Sequence, residues 1–161
     1  MKPLLLTRRE IMAKSVRVVI GGVATRAYMP ERMTKDLDVP VEVIPIPTVR
    51  EADGLAMSSR NTYLNQQERQ AALVLSGALS YANGLMKSGP ISGEDIRAAV
   101  EEFIRREPLA EIDYVAVADP ETMENVSDIG DTVLVALAVK IGRTRLIDNE
   151  ALINPHSPGK K

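Results

Sequence analysis

Ser58, Ser59 and Arg60 stand in a row within the polar stretch TVREADGLAMSSRNTYL, residues 48–64. Two hydroxyls, a guanidinium and loop backbone N–H groups are the chemistry that holds a polyphosphate. A guanidinium grips phosphate oxygens through two parallel hydrogen bonds and stabilises charge as it develops. Gly54 lets the loop bend, and Met57 offers an apolar surface for a base. Arg50 is either a second cation or an ion-pair partner for Glu51 or Asp53. From spacing alone, a charged and solvated surface loop remains the plainer reading.

Composition narrows the other chemistry. The chain has 161 residues, about one domain or two small ones. It has no cysteine, so disulfides, thiolate metal sites and thiol nucleophiles are excluded. Its one histidine, His156, lies in the tail. That leaves no basis for a histidine zinc site or a Ser-His-Asp triad within the chain. One Phe, four Tyr and no Trp argue against a stacking platform for single-stranded nucleic acid. No apolar run is long enough to span a membrane, and MKPLLLTRRE is unlike a secretory signal. The expected location is the cytoplasm.

The net charge of −2 is unevenly spread. Residues 1–35 hold eight Lys/Arg against Glu10 and Glu31. This arm reads as a solvated basic face, with a nucleic-acid contact as the weaker alternative.

The elements that must position the loop can be read from periodicity. VRVVI, residues 16–20, reads as a strand, with Gly21-Gly22 as its turn or as a weak phosphate approach. Residues 30–37 read as a short helix with Pro30 in its first turn. The β-branched run at 41–46 reads as a second strand, ending near Pro45 and Pro47. The loop at 48–63 then sits beyond a strand's C-terminal end, where α/β sheets bind ligands.

Asn65 and Glu68 form a capping-box pair that starts a helix. Ala72, Leu75, Leu79, Ala82 and Met86 share its apolar face, and Gly89-Pro90 ends it. Ser92 and Asp95 start a second helix with Ile96, Ala99, Val100, Phe103 and Ile104 on its buried face. Residues 114–118, 132–139 and 144–147 read as strands, the last two forming an antiparallel hairpin across Lys140-Ile141-Gly142. The bland reading suits several other residues: Asp119 and Glu121 in a turn, Tyr114 in strand packing, Met86 and Met123 in the core.

PTVREADGLAMSSRNTYL closely resembles the pantothenate synthetase (pantoate–β-alanine ligase) signature. Within it, Ala56-Met57-Ser58-Ser59-Arg60 is similar to that family's form of the KMSKS loop of class I adenylate-forming nucleotidyltransferases. The likeness extends through RMTKDLDVPVEVIPIP, NQQERQAALVLSGAL, EIDYVAVADPETM and TVLVALAVKIGRTRLIDN, over roughly residues 31–153. It implies an ATP- and Mg²⁺-dependent enzyme that makes pantoyl adenylate and then passes the pantoyl group to β-alanine, yielding pantothenate and AMP. It implies that Ser58, Ser59 and Arg60 hold ATP phosphates and carry the catalysis, and that Val49 and Met57 flank the adenine. No residue is assigned to a metal.

The implied fold class is α+β. Residues 62–154 form a C-terminal lid of helices packed on a three-stranded antiparallel sheet. Residues 1–61 are a remnant of a Rossmann-like α/β nucleotide-binding domain, and 155–161 a disordered tail. The chain departs from the family in two places. It has no His-x-Gly-His motif, and GVATR at 22–26 stands where a Lys-Asp-x-x-Gln segment belongs. Residues 1–25 show no likeness. The expected consequence is low activity alone, because catalytic groups that act as a unit fail together. The expected partners are pantoate, β-alanine and ATP, with a separate N-terminal half or a second copy completing the site, and neither nucleic acid nor membrane. The alternative is a folded module without catalysis.

Overall fold

The computed structural model describes residues 16–21 and 41–157, the first segment and 41–46 by backbone alone. The expected helix at 30–37, the turn at Gly22 and most of the basic arm lie outside the described residues. Two six-residue strands, β1 (Val16–Gly21) and β2 (Val41–Ile46), pair in parallel with Val16 opposite Val41. Pro45 stays inside β2, opposite Ile20.

Helix α1 (Gln66–Ala72) begins as the sequence predicts. The Asn65 side chain accepts from the Glu68 N–H at 2.9 Å, and Glu68 Oε2 accepts from the Asn65 N–H at 2.9 Å. Two otherwise orphaned donors are satisfied, a cap contributing about 1 kcal/mol. The single helix expected over 65–88 is divided at Leu73 into α1 and α2 (Val74–Ser88). There the Leu73 N–H bonds Gln70 O, three residues back, so the ladder tightens to 3₁₀ geometry. The Ser76 hydroxyl takes up the Leu73 carbonyl at 3.2 Å.

Helix α3 (Gly93–Arg105) is capped by Ser92, which accepts from the Asp95 N–H at 3.0 Å. Tyr81 of α2 stacks on Phe103 of α3, ring centres 5.2 Å apart. Strands β3 (Ala110–Ala118), β4 (Thr132–Ile141) and β5 (Thr144–Ile153) form an antiparallel sheet in that order. The fold class is therefore α+β, as expected. The hairpin is tighter than its three-residue forecast: Ile141 pairs with Thr144, and only Gly142 and Arg143 turn the chain. Gly142 has φ of 59°, the left-handed value that glycine supplies cheaply.

Leu75, Leu79 and Met86 of α2 and Ile96, Val100 and Ile104 of α3 bury one face each. They meet Val133, Val135, Leu137, Val139 and Ile141, alternate residues of the central strand. Leu55 joins the same cluster at 2% exposure, so the core holds the polar loop from below. Met123 is not in that core. It is half-buried with φ of 62°, in the turn where Asp119 Oδ1 accepts from the N–H groups of Glu121 and Thr122. Those two bonds make Asp119 a turn residue and hold its carboxyl below the usual range. The chain leaves β5 through a turn at residues 154–157, and the rest of the expected disordered tail lies outside the described residues.

Candidate nucleotide-binding loop

The loop after β2 folds back on itself. Met57 N–H bonds Val49 O at 2.9 Å, Glu51 N–H bonds Leu55 O at 2.8 Å, and Arg50 bridges Ala56. Its tip closes with Gly54 N–H to Glu51 O at 2.9 Å, with Gly54 at φ of 93°. A glycine is required there, since side chains disfavour that region. Leaving this miniature hairpin, the chain turns into a 3₁₀ helix over Ser59–Tyr63, capped by Ser58 Oγ accepting from the Arg60 N–H at 3.2 Å.

Three of the loop's charges are spent on holding it. Arg50 donates two bonds to Asp148 of β5, at 2.7 and 3.1 Å, and a third to Gly54 O at 3.1 Å. It therefore pairs with neither Glu51 nor Asp53, and it is not a spare cation. Its pKa is raised, first by the Asp148 hydrogen bond. Glu51 and Asp53 instead meet Arg69 of α1 at 2.8 and 2.5 Å. The Arg69 hydrogen bonds are the main cause holding both carboxyls low. Asn61 Nδ2 in turn donates to Glu51 and to Ala56 O.

Arg60 is the cation left over. It is exposed and makes no ion pair with the described residues. A cleft of about 140 Å³ lies beside it, lined on the loop side by Met57, Ser58, Arg60 and Asn61 and on β5 by Arg145 and Asp148. Arg145 is itself tied to Asp113 at 2.7 Å, with its guanidinium 6.0 Å from the Tyr114 ring centre. Of the residues singled out from sequence, the structure brings Met57, Ser58 and Arg60 to this cleft, while Val49 and Ser59 are outside its lining. Val49 and Met57 stand opposite each other on the loop hairpin, 57% and 63% exposed. Arg69, Asn61, Arg145 and Asp148 were not singled out. Arg145 and Asp148 lie in GRTRLIDN, a segment of the family likeness, but the Arg50–Asp148 pair, 98 residues apart, has no spacing signature.

The family model Pantoate-beta-alanine ligase matches residues 19–151. The chain belongs to that family. The match starts ahead of residue 31 and takes in residues 19–25, where no likeness was expected. The chain is 54% identical over 118 residues to pantothenate synthetase of Heliobacterium modesticaldum, covering 73% of this chain and 42% of that protein. It is 50% identical over 129 residues to the enzyme of Pelotomaculum thermopropionicum, covering 80% and 46%. A crystal structure of pantothenate synthetase from Thermus thermophilus superposes with a TM-score of 0.71 at 38% identity, covering 83% of this chain and 49% of that one. The chain thus spans less than half the length of these relatives.

Among the described residues, no group of three His, Asp or Glu side chains is disposed to hold a metal ion. The loop's own carboxylates are engaged by Arg69, so they do not fit as Mg²⁺ ligands. No helix among the described residues is long and apolar enough to cross a membrane.

Proposed function

We propose that this chain supplies the phosphate-binding loop and the lid of an ATP-dependent pantoate–β-alanine ligase of the cytoplasm. The observation that carries the reading is the unpaired Arg60 beside Ser58, on a loop whose other charges are consumed in fixing its shape. Such a cation costs no reorganisation when charge develops near it.

In this proposal Ser58, Ser59 and Arg60 hold the ATP phosphates while pantoate displaces pyrophosphate at the α-phosphorus. Positioning and charge neutralisation supply most of the rate. The exposed apolar pair Val49 and Met57 flanks the adenine. The β-alanine amine then attacks the pantoyl carbonyl of the adenylate and AMP leaves, with water kept out by the domain after residue 61. Mg²⁺ when bound neutralises phosphate charge. Its ligands in this proposal come from ATP rather than from Glu51 or Asp53.

The His-x-Gly-His segment that the likeness implies is not among the 161 residues. The proposed activity is therefore that of these residues together with such a segment. The test is AMP release from ATP, pantoate and β-alanine, each omitted in turn, with and without the N-terminal half of a relative. Release that needs all three substrates and both halves is expected. Two folded halves that release nothing together would leave a module without catalysis. Release by the chain alone would show that the additional segment is not needed.

A further inference from the structure

The geometry points to Asp148 as a positioning residue for the phosphate-binding loop, acting through Arg50. This inference rests on the function proposed above. The Asp148 side chain is fully buried, and a buried carboxylate must be paired or hydrogen-bonded to be tolerated. Its partners are the two Arg50 nitrogens and the Asn149 N–H at 2.8 Å. The bidentate geometry fixes direction as well as distance, which a single point charge would not do.

Arg50 is placed to transmit that constraint. It sits in the bridge with Ala56, one residue from the Val49–Met57 backbone bond, and the Gly54 carbonyl takes its third donor. One guanidinium thereby joins β5, the loop tip and the loop base. Ser58 follows Met57 directly, so the direction in which Ser58, Ser59 and Arg60 leave the base is set by this clamp. Asp148 also lines the cleft that Ser58 and Arg60 line from the loop side, so the clamp and the anion-binding groups face the same cleft. A loop held this way presents its cation without having to order it when ATP arrives.

Amide hydrogen exchange on the 161-residue chain tests the clamp without any ligand. In Asp148→Asn the Met57 and Glu51 amides should exchange at least about ten-fold faster, while Leu137 and Val139 of β4 keep their wild-type rates. Mg-ATP affinity, measured with the complementary half present, should weaken by about ten-fold in parallel. Equal acceleration in loop and β4, or none in either, would overturn the inference. So would unchanged ATP affinity in a variant whose loop exchange has risen. Should Asp148→Asn not fold, the double variant Arg50→Met with Asp148→Leu fills the same space without a buried charge. It should keep β4 protected and still leave the loop exchanging fast, whereas wild-type loop protection would overturn the clamp. A wild-type chain and complement that do not bind ATP would count against the proposed function, and the exchange result would still stand or fall by itself.

Discussion

The Glu68 carboxylate packs against Gly142 of the β4–β5 hairpin while it caps helix α1. Oε2 caps the helix at the Asn65 N–H, and Oε1 lies against Gly142, where an added Cβ would come within 2.1 Å of it. Gly142 also needs its φ of 59° to turn the hairpin in two residues. Gly142→Ala should therefore lose on both counts, through left-handed strain and through displacement of a capping carboxylate. The expected cost is about 2 kcal/mol. It would be read as a lower urea midpoint at unchanged m-value, and a midpoint within error of wild type would refute it.

The same substitution should change sign with its surroundings. Gly93 opens α3 with its N–H bonded to Ser127 O, and a Cβ there would fall 1.9 Å from the Val126 carbonyl oxygen. Backbone cannot swing aside as a side chain can, so Gly93→Ala should cost about 3 kcal/mol or more. Gly84 lies exposed within α2 with nothing within 4 Å of an added Cβ. Gly84→Ala should stabilise by about 0.5–1 kcal/mol, because alanine loses less backbone entropy in a helix. Thermal melts of the two variants moving in the same direction would contradict this account.

The local features of this fold were legible because they are written within a few residues of one another. Asn65 with Glu68, Ser92 with Asp95, and the alternate apolar residues of β4 each act over one turn or one strand. The loop's chemistry was legible only in part. Arg50 has two partners of opposite charge close by in the sequence, yet it pairs with Asp148 from a distant segment, and Glu51 and Asp53 are left to Arg69. Ion pairing across a fold follows from topology, and no periodicity announces it. The break at Leu73 was hidden for another reason. VLSGAL continues an apolar helical stripe, and a one-residue tightening leaves that stripe intact.

Arg60 should separate function from stability. Its side chain is exposed and unpaired among the described residues, so Arg60→Ala should move the stability by less than about 0.5 kcal/mol. In the two-half enzyme the same change should lower AMP release by about a hundred-fold, the scale of losing one group aimed at developing charge. Arg60→Lys should recover only part of this, since an ammonium cannot reproduce the two parallel bonds. Rates for Arg60→Ala within about two-fold of wild type would place the phosphates elsewhere.

Acid should loosen the loop from α1. Arg69 depresses the folded-state pKa values of Glu51 and Asp53 below their unfolded values near pH 4. Groups depressed in this way bind fewer protons when folded, so their contribution is fully present above the unfolded pKa. It is lost as pH falls through the lower folded values. The difference in melting temperature between wild type and Arg69→Ala should thus be level from pH 7 to about 5 and shrink below about pH 4. In the same variant, carboxyl titration by NMR should return Glu51 and Asp53 toward the ordinary range. Neither should return completely, because Asn61 still donates to Glu51 and the Leu55 N–H to Asp53. A melting difference that persists undiminished to pH 2 would mean that Arg69 holds the loop by packing its stem rather than by charge.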